Sequence, residues 1–278
     1  MSTPGNATAS AADTPPAAAR ERRAPGVLLG LCGVIVALGA WTLLSRWLAT
    51  GGGVINRLPP PWRVASEIVA YARGDLAQDL LFSLRVFLTG WIAGALCATV
   101  FGLLLGRVKA LGQVFIPVIE AIRPVSSIAW VPLSIVWFGF GLTSKAFLVG
   151  LAVFLVVIVY AVDGARRIPP ELDRIATMLG MRGARRFFQV VLPGTLTEVL
   201  IGSRVSLMAG WGTVIVAELV AADSGLGAHL IGVQQSYNVP AVMATMAYFG
   251  VTGFAMNALF TLAERKLTPW VPRTEDAR

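Results

Sequence analysis

The sequence predicts an all-α fold, a polytopic membrane helix bundle with about six transmembrane helices. Three observations carry this. The chain of 278 residues is 56% apolar and only 14% charged, where a soluble domain holds about a quarter charged residues. Several apolar stretches reach the roughly 20 residues needed to cross a hydrocarbon core about 30 Å thick. None of them alternates with period two, as the strands of a membrane barrel would. Backbone polar groups left unpaired in lipid are costly, so such stretches must be helices.

The elements follow in order. Residues 1–25 are rich in Ala, Thr, Pro and Ser and end in Arg20, Glu21, Arg22 and Arg23; they are expected to be a disordered tail. The apolar run 26–49 is too long for the core of a signal peptide and reads as a first transmembrane helix that stays attached. Residues 50–78 open on Gly51-Gly52-Gly53 and continue through Leu58-Pro59-Pro60-Pro61. An extended entry forced by the prolines should lead into a short amphipathic helix, with Val64, Ile68, Val69 and Ala72 at helical spacing. The second span is expected from Leu80 to Leu105. The third apolar region, 114–140, is interrupted by Pro117, Pro124 and Pro132. Its spanning part is placed at Ser126–Phe140, facing protein or a cavity because freed carbonyls need partners. The fourth span is Ala146–Val162. A fifth helix should begin at Pro193, a good first helical residue, and run towards Ala222, longer than one crossing, so that part of it lies outside the lipid or it bends near Gly210–Gly212. Residues 223–240 read as a glycine-containing loop, and the last span as Ala241–Leu262. A polar tail, 264–278, closes the chain.

Charge orients this bundle. Arg107, Lys109, Arg166, Arg167, Arg174, Arg182, Arg185, Arg186, Arg265 and Lys266 would share one side with the basic N-terminal tail. The other side would hold only Arg46, Arg57, Arg63, Arg73 and Lys145. The positive-inside rule then puts both termini in the cytoplasm. The same distribution excludes nucleic acid as a partner despite a net charge of +8, because the cations flank apolar helices and form no single patch. Cys32 and Cys97 lie inside apolar segments without polar co-ligands, so they are expected to be small core residues and no metal site is expected.

The longest polar break between spans, 163–192, carries the most information. Pro169 and Pro170 open a helix in which Leu172, Ile175, Ala176 and Leu179 recur at i, i+3, i+4 and i+7. Glu171, Asp173 and Arg174 fall on other faces. Gly180 stands where a helix C-terminus is expected. Met181 and Arg182 lead to a second short helix, Ala184–Val191, ending before Leu192-Pro193. The apolar stripe suits a groove on a partner protein; a solvated loop with no partner accounts for the periodicity equally well.

The pattern Ala176-x3-Gly180 followed by Leu192-Pro193 resembles the cytoplasmic loop of binding-protein-dependent ABC importer permeases. That loop carries Glu-Ala-Ala before three residues and a glycine, and closes on Ile-x-Leu-Pro. Here Arg174, Ile175 and Val190 replace the Glu, the first Ala and the Ile. Further stretches are similar to the permeases for nitrate, taurine and alkanesulfonates. They are Leu58-Pro59-Pro60-Pro61, Arg123-Pro124-Val125-Ser126-Ser127-Ile128-Ala129-Trp130-Val131-Pro132, Trp137-Phe138-Gly139-Phe140-Gly141, Ala217-Glu218-Leu219 and Ser224-Gly225-Leu226-Gly227.

The resemblance implies a type I ABC importer transmembrane fold over 79–263, with 163–192 as the loop coupling it to an ATPase. It implies a homodimer of this chain, two cytoplasmic ATPase subunits that use ATP and Mg, and a periplasmic or lipid-anchored substrate-binding protein. The chain has no phosphate-binding loop of its own, so it is expected to be non-catalytic and to bind no cofactor. The bacterial inner membrane is the implied location and a small anion, such as a sulfonate, taurine or nitrate, the implied cargo. Ionisable groups within spans are candidates for the translocation path: Arg85, Glu120, Arg204 and Glu218, although Glu218 could instead pair with a neighbouring helix or a backbone amide. Trp137, Phe138 and Trp211 are candidate gating aromatics, and the lone His229 reads as a surface residue of the outer loop.

An ion-gradient-driven transporter would show internal repeats with paired broken helices, and no duplication is evident. An intramembrane enzyme would need paired His, Asp or Ser groups within the spans, and the one histidine lies outside them.

Overall fold

The computed structural model describes residues 24–50, 58–220 and 223–267. The expected tails, 1–23 and 268–278, and the glycine break at 51–53 lie outside those residues. All regular structure among the described residues is helical. Residues 1–56 and 57–278 form two separate units. In the first, α1 is a single helix, Ala24–Thr50; its 27 residues are of spanning length at about 1.5 Å per residue.

The second unit contains four helices long and apolar enough to cross a membrane: α3 (Leu76–Arg107), α6 (Leu142–Arg166), the run that includes α9 (Leu192–Val220), and α11 (Val239–Leu267). A bent pair is a fifth candidate. In it α4 (Lys109–Ile122) meets a 3-10 turn at Ser127–Trp130 that leads into α5 (Val131–Phe138), with a 94° bend between the arms. The single span expected over 126–140 is therefore corrected to the second arm of a broken one. Pro124 lacks a donor and Ser126 is extended (φ −59, ψ 141), so the helical ladder cannot pass through.

The α3–α6 pair is the centre of the unit. Gly90, Gly94, Ala98, Gly102 and Gly106 recur every fourth residue along one stripe of α3. That stripe meets Ala146, Gly150, Ile158, Ala161 and Ala165 of α6. The two helices therefore run parallel and end together at Arg107 and Arg166. A Cβ on Gly90 would lie 2.5 Å from the Ala146 carbonyl oxygen, and one on Gly102 2.5 Å from the Ala161 Cβ. Small residues at this spacing are how membrane helices approach without a hydrophobic drive between them. Because α3 and α6 are parallel, the chain between them must return across the bilayer, which is the work of the α4–α5 pair.

α9 runs antiparallel to α6, with Gly202 under the Tyr160 ring and Gly210 against Val153. Trp91 donates to Ser206 Oγ at 3.1 Å and Trp211 to the Phe249 carbonyl at 3.0 Å, tying α9 to α3 and α11. The buried core joins Val86, Phe87, Val149, Val153, Val157, Ile158, Leu207 and Val214.

Three further expectations need correction. Residues 223–240 are not simply a loop: α10 (Leu226–Gln235) fills most of them. The helix after 183 does not stop before Pro193. α8 (Gly183–Arg186) passes through a π turn at Phe187–Val191 directly into α9. The wide turn lets the Leu192 N–H donate to the Phe187 carbonyl, giving the Pro193 ring room it would lack over a normal turn. Cys32 and Cys97 are exposed on their helices rather than in the core.

Candidate coupling segment and outer cap

At the end where α3 and α6 terminate, Ile168 is buried with Leu103, Ala165 and Val191, and Arg167 pairs with Glu198 of α9 at 2.9 Å. These contacts fix the root of α7 (Pro170–Met178). Pro169 is extended (φ −56, ψ 134) and Pro170 occupies the first turn, where a missing N–H costs nothing. The helix closes in a Schellman motif. Gly180 has φ +70; its N–H donates to the Thr177 carbonyl at 3.0 Å, and the Met181 N–H to the Ala176 carbonyl at 2.9 Å. Both bonds satisfy carbonyls the helix end would orphan.

No atom lies within 4 Å of a Cβ built on Gly180, so its requirement is conformational alone. Gly180→Ala is expected to weaken this end by about 1–2 kcal/mol. Faster hydrogen exchange at the Met181 amide, with unchanged protection in α9, is the outcome to look for.

Of the predicted stripe only Ala176 is buried, at 2% exposure; Leu172 (43%), Ile175 (52%) and Leu179 (65%) are open, as is Met178 (85%). Glu171, Arg174 and Arg182 are exposed, Met181 and Leu192 half-buried, and Pro193 exposed on the helix that continues past it. The segment thus presents an apolar face that nothing among the described residues covers.

The path candidates are not brought together. Arg85 is exposed on α3. Arg204 is half-exposed and pairs with Glu264 at 3.5 Å. Trp137 and Phe138 form an exposed cluster with Phe147, with centroids 5.1 to 6.4 Å apart. Trp211 sits instead in a buried cluster with Phe87 and Phe249. Glu218 is fully buried, and the reading that it pairs with a backbone amide is the one the geometry shows. Its Oε2 accepts from Ser83 Oγ and from the Gly227 N–H, both at 2.9 Å, while Ser83 Oγ accepts from the Leu226 N–H at 3.0 Å. Glu218 and Ser83 together hold the N-terminus of α10, whose first N–H groups have no partner within the helix. Nearby, the buried Lys145 pairs with Asp223 and lies over the Phe82 ring.

α10 and α2 (Pro61–Arg73) cap this opposite end. Tyr71 donates to Asp79 Oδ2 at 2.8 Å and Tyr248 to the Ile68 carbonyl at 2.8 Å. α2 therefore packs on α3 and α11. Burial, then the Asp79 hydrogen bond, pushes the Tyr71 phenol above its ordinary pKa, so it remains a donor at neutral pH. His229 is half-buried and stacks on Tyr71 with centroids 3.8 Å apart. Burial lowers its pKa against the opposing pull of Asp79, Asp75 and Glu67. A histidine kept neutral by folding contributes stability above its unfolded pKa and loses it as pH falls. Protease sensitivity of the 223–240 segment should therefore rise below about pH 6.5, and His229→Phe should remove that dependence.

Sequence reasoning missed Ser83 and Lys145. Ser83 carried no signal, being one hydroxyl in an apolar helix. Lys145 had one, a charge at the head of a span, and was assigned to the surface by charge counting.

A parallel helix pair, a broken span and a helix–glycine–helix unit at one face define a helix bundle with several spans of membrane length. Residues 86–271 match the family described as "Binding-protein-dependent transport system inner membrane component", and the chain belongs to that family, as a permease subunit of an ATP-binding-cassette importer. It is 33% identical over 252 residues to a protein of Brucella abortus (strain 2308) named "Probable ABC transporter permease protein", spanning 90% of this chain and 98% of that one. It is 34% identical over 219 residues to the taurine transport system permease protein of Escherichia coli (strain K12), 77% of this chain and 80% of that one. Identity to the bicarbonate transport system permease protein of Synechococcus elongatus is 25% over 266 residues, 91% of this chain and 92% of that one.

Proposed function

We propose that this chain forms the translocation path for a small anion and receives its driving force through α7. The observation that carries the proposal is the exposed face of Leu172, Ile175, Met178 and Leu179 on a helix with a fixed root and a capped end. Each such side chain gains roughly 1.5–3 kcal/mol on full burial, so a matching groove on an ATPase would hold α7 tightly enough to move it. Two copies of the chain, two ATPase subunits using ATP and Mg, and a substrate-binding protein at the α10 face complete the transporter; the permease itself binds no cofactor. The α7 face is cytoplasmic, as are both termini, and the membrane is the bacterial inner one. Arg174 stands where the motif carries an acid, so docking rests on apolar contact more than on an ion pair.

The cargo is a sulfonate, taurine or a related oxyanion such as nitrate. Support comes from the names of the relatives, which are permeases for taurine, aliphatic sulfonates and bicarbonate. Arg85 and Arg204 are the path residues best matched to such a charge, with Trp137 and Phe138 as flanking aromatics.

Co-purification tests the coupling. Ile175→Asp or Leu179→Asp should lower the recovered ATPase at least about tenfold, given the burial energy of either side chain. Recovery that survives scrambling of residues 176–183 sinks the docking assignment. Uptake into vesicles containing the full transporter, measured with taurine, alkanesulfonates, nitrate and bicarbonate, tests the cargo. Equal uptake of a solute with no anionic group, such as an uncharged sugar, would overturn the anion reading.

A further inference from the structure

A cleft of about 960 Å³ opens at the α7 end of the unit, between the ends of α3 and α6 and the starts of α4 and α8. Arg107, Lys109, Arg166 and Arg186 line it, with Ile116 and Phe187 among the apolar residues between them; none of the described residues lining it is a carboxylate. Glu120 and Asp163 line a separate cleft of about 80 Å³ that shares Arg166. The path candidates and the exposed stripe of α7 lie elsewhere; Arg166, Arg186 and Phe187 flank that stripe within the segment 163–192.

Position identifies the occupant. α3 and α6 are membrane spans and both end here, which sets the cleft at the depth of lipid headgroups. Directly from the cleft runs α4, whose Leu111, Val114, Phe115 and Val118 are all exposed. Lys109 and Gly112 of the same helix line the cleft. A ligand with an anionic head and apolar tails matches both features; a free phosphate matches only the first. The geometry points to a site for one anionic phospholipid of the leaflet on the α7 side, its phosphate held by the basic cluster and its acyl chains lying along α4. Clusters of Lys and Arg between helices at this depth recognise such headgroups electrostatically. Arg107 already donates to the Ala165 carbonyl at 3.4 Å, which holds its guanidinium over the end of α6. The lipid would thus bridge α3, α4 and the root of the coupling segment.

The test uses the full chain in detergent, with bound lipid counted by native mass spectrometry. Dioctanoyl phosphatidylglycerol, dioctanoyl phosphatidylcholine and inorganic phosphate are the probes. One phosphatidylglycerol per chain should be retained in preference to phosphatidylcholine. Lys109→Gln should weaken retention about fivefold, and Lys109→Gln with Arg166→Gln about 25-fold, at roughly fivefold per cation removed. Lys109→Arg with Arg166→Lys should retain it, which separates loss of charge from misfolding. Equal retention of the two lipids, no change in the double variant, or full displacement by millimolar inorganic phosphate would overturn the proposal. All three readings are independent of whether α7 docks an ATPase.

Discussion

Gly94→Leu is expected to prevent α3 and α6 from packing, with loss of most folded protein. A Cβ on Gly94 would meet the backbone of Gly150, with the Gly150 Cα at 2.9 Å. Backbone cannot rotate aside as a flexible side chain does. The helices must separate along their length, and every other small-residue contact in the stripe loosens with them. Overpacking a close-packed site costs about 1–3 kcal/mol; a clash against backbone at the tightest point of the pair should exceed that range. The measurement is the thermal midpoint and monodispersity of the purified chain in detergent. Gly250→Ala on α11, where nothing lies within 4 Å, is the control and should leave both unchanged. If Gly94→Leu melts as the native chain does, the parallel contact described here is wrong.

How much of this was legible in the sequence differs from element to element, for physical reasons. The spans were legible because length and apolarity are local properties. The cap at Gly180 was legible because a positive φ at a helix end has a residue preference. The stripe Gly90–Gly94–Ala98–Gly102–Gly106 is visible at its four-residue spacing, but the spacing alone does not say which helix it meets. The 94° break was half-legible: prolines announced an interruption at 124, but not that both arms are helical. The continuity of α8 into α9 was not legible, since Pro193 ordinarily ends a helix and only a π turn accommodates it. His229 and Ser83 were beyond reach, because their partners, Tyr71 and Glu218, are distant in sequence and share no periodicity with them. Cys97 was misjudged for a reason peculiar to membranes: in a lipid-facing surface, apolar surroundings in sequence do not imply burial in protein.

Replacement of Glu218 should have the second large effect, and its size should depend on the substituent. Glu218→Leu removes the acceptor of two buried donors, Ser83 Oγ and the Gly227 N–H. Each orphaned donor costs about 1–3 kcal/mol, so a loss of roughly 2–6 kcal/mol is expected, concentrated at the attachment of α10 to α3. Glu218→Gln keeps one acceptor oxygen within reach of both donors and should lose much less. Glu218 Oε1 has no hydrogen-bond partner among the described residues, so the amide nitrogen of the glutamine inherits a site where nothing accepts its protons; the substitution is therefore not silent. Hydrogen exchange across Leu226–Gln235, alongside the global melt, separates local from general damage: Leu should release α10 before the core of α3, α6 and α9, and Gln should not. A path residue would behave oppositely, with transport falling and α10 still protected in both variants. The same experiment thus decides whether this acid acts on a transported solute or, as its two donors indicate, holds α10 on α3.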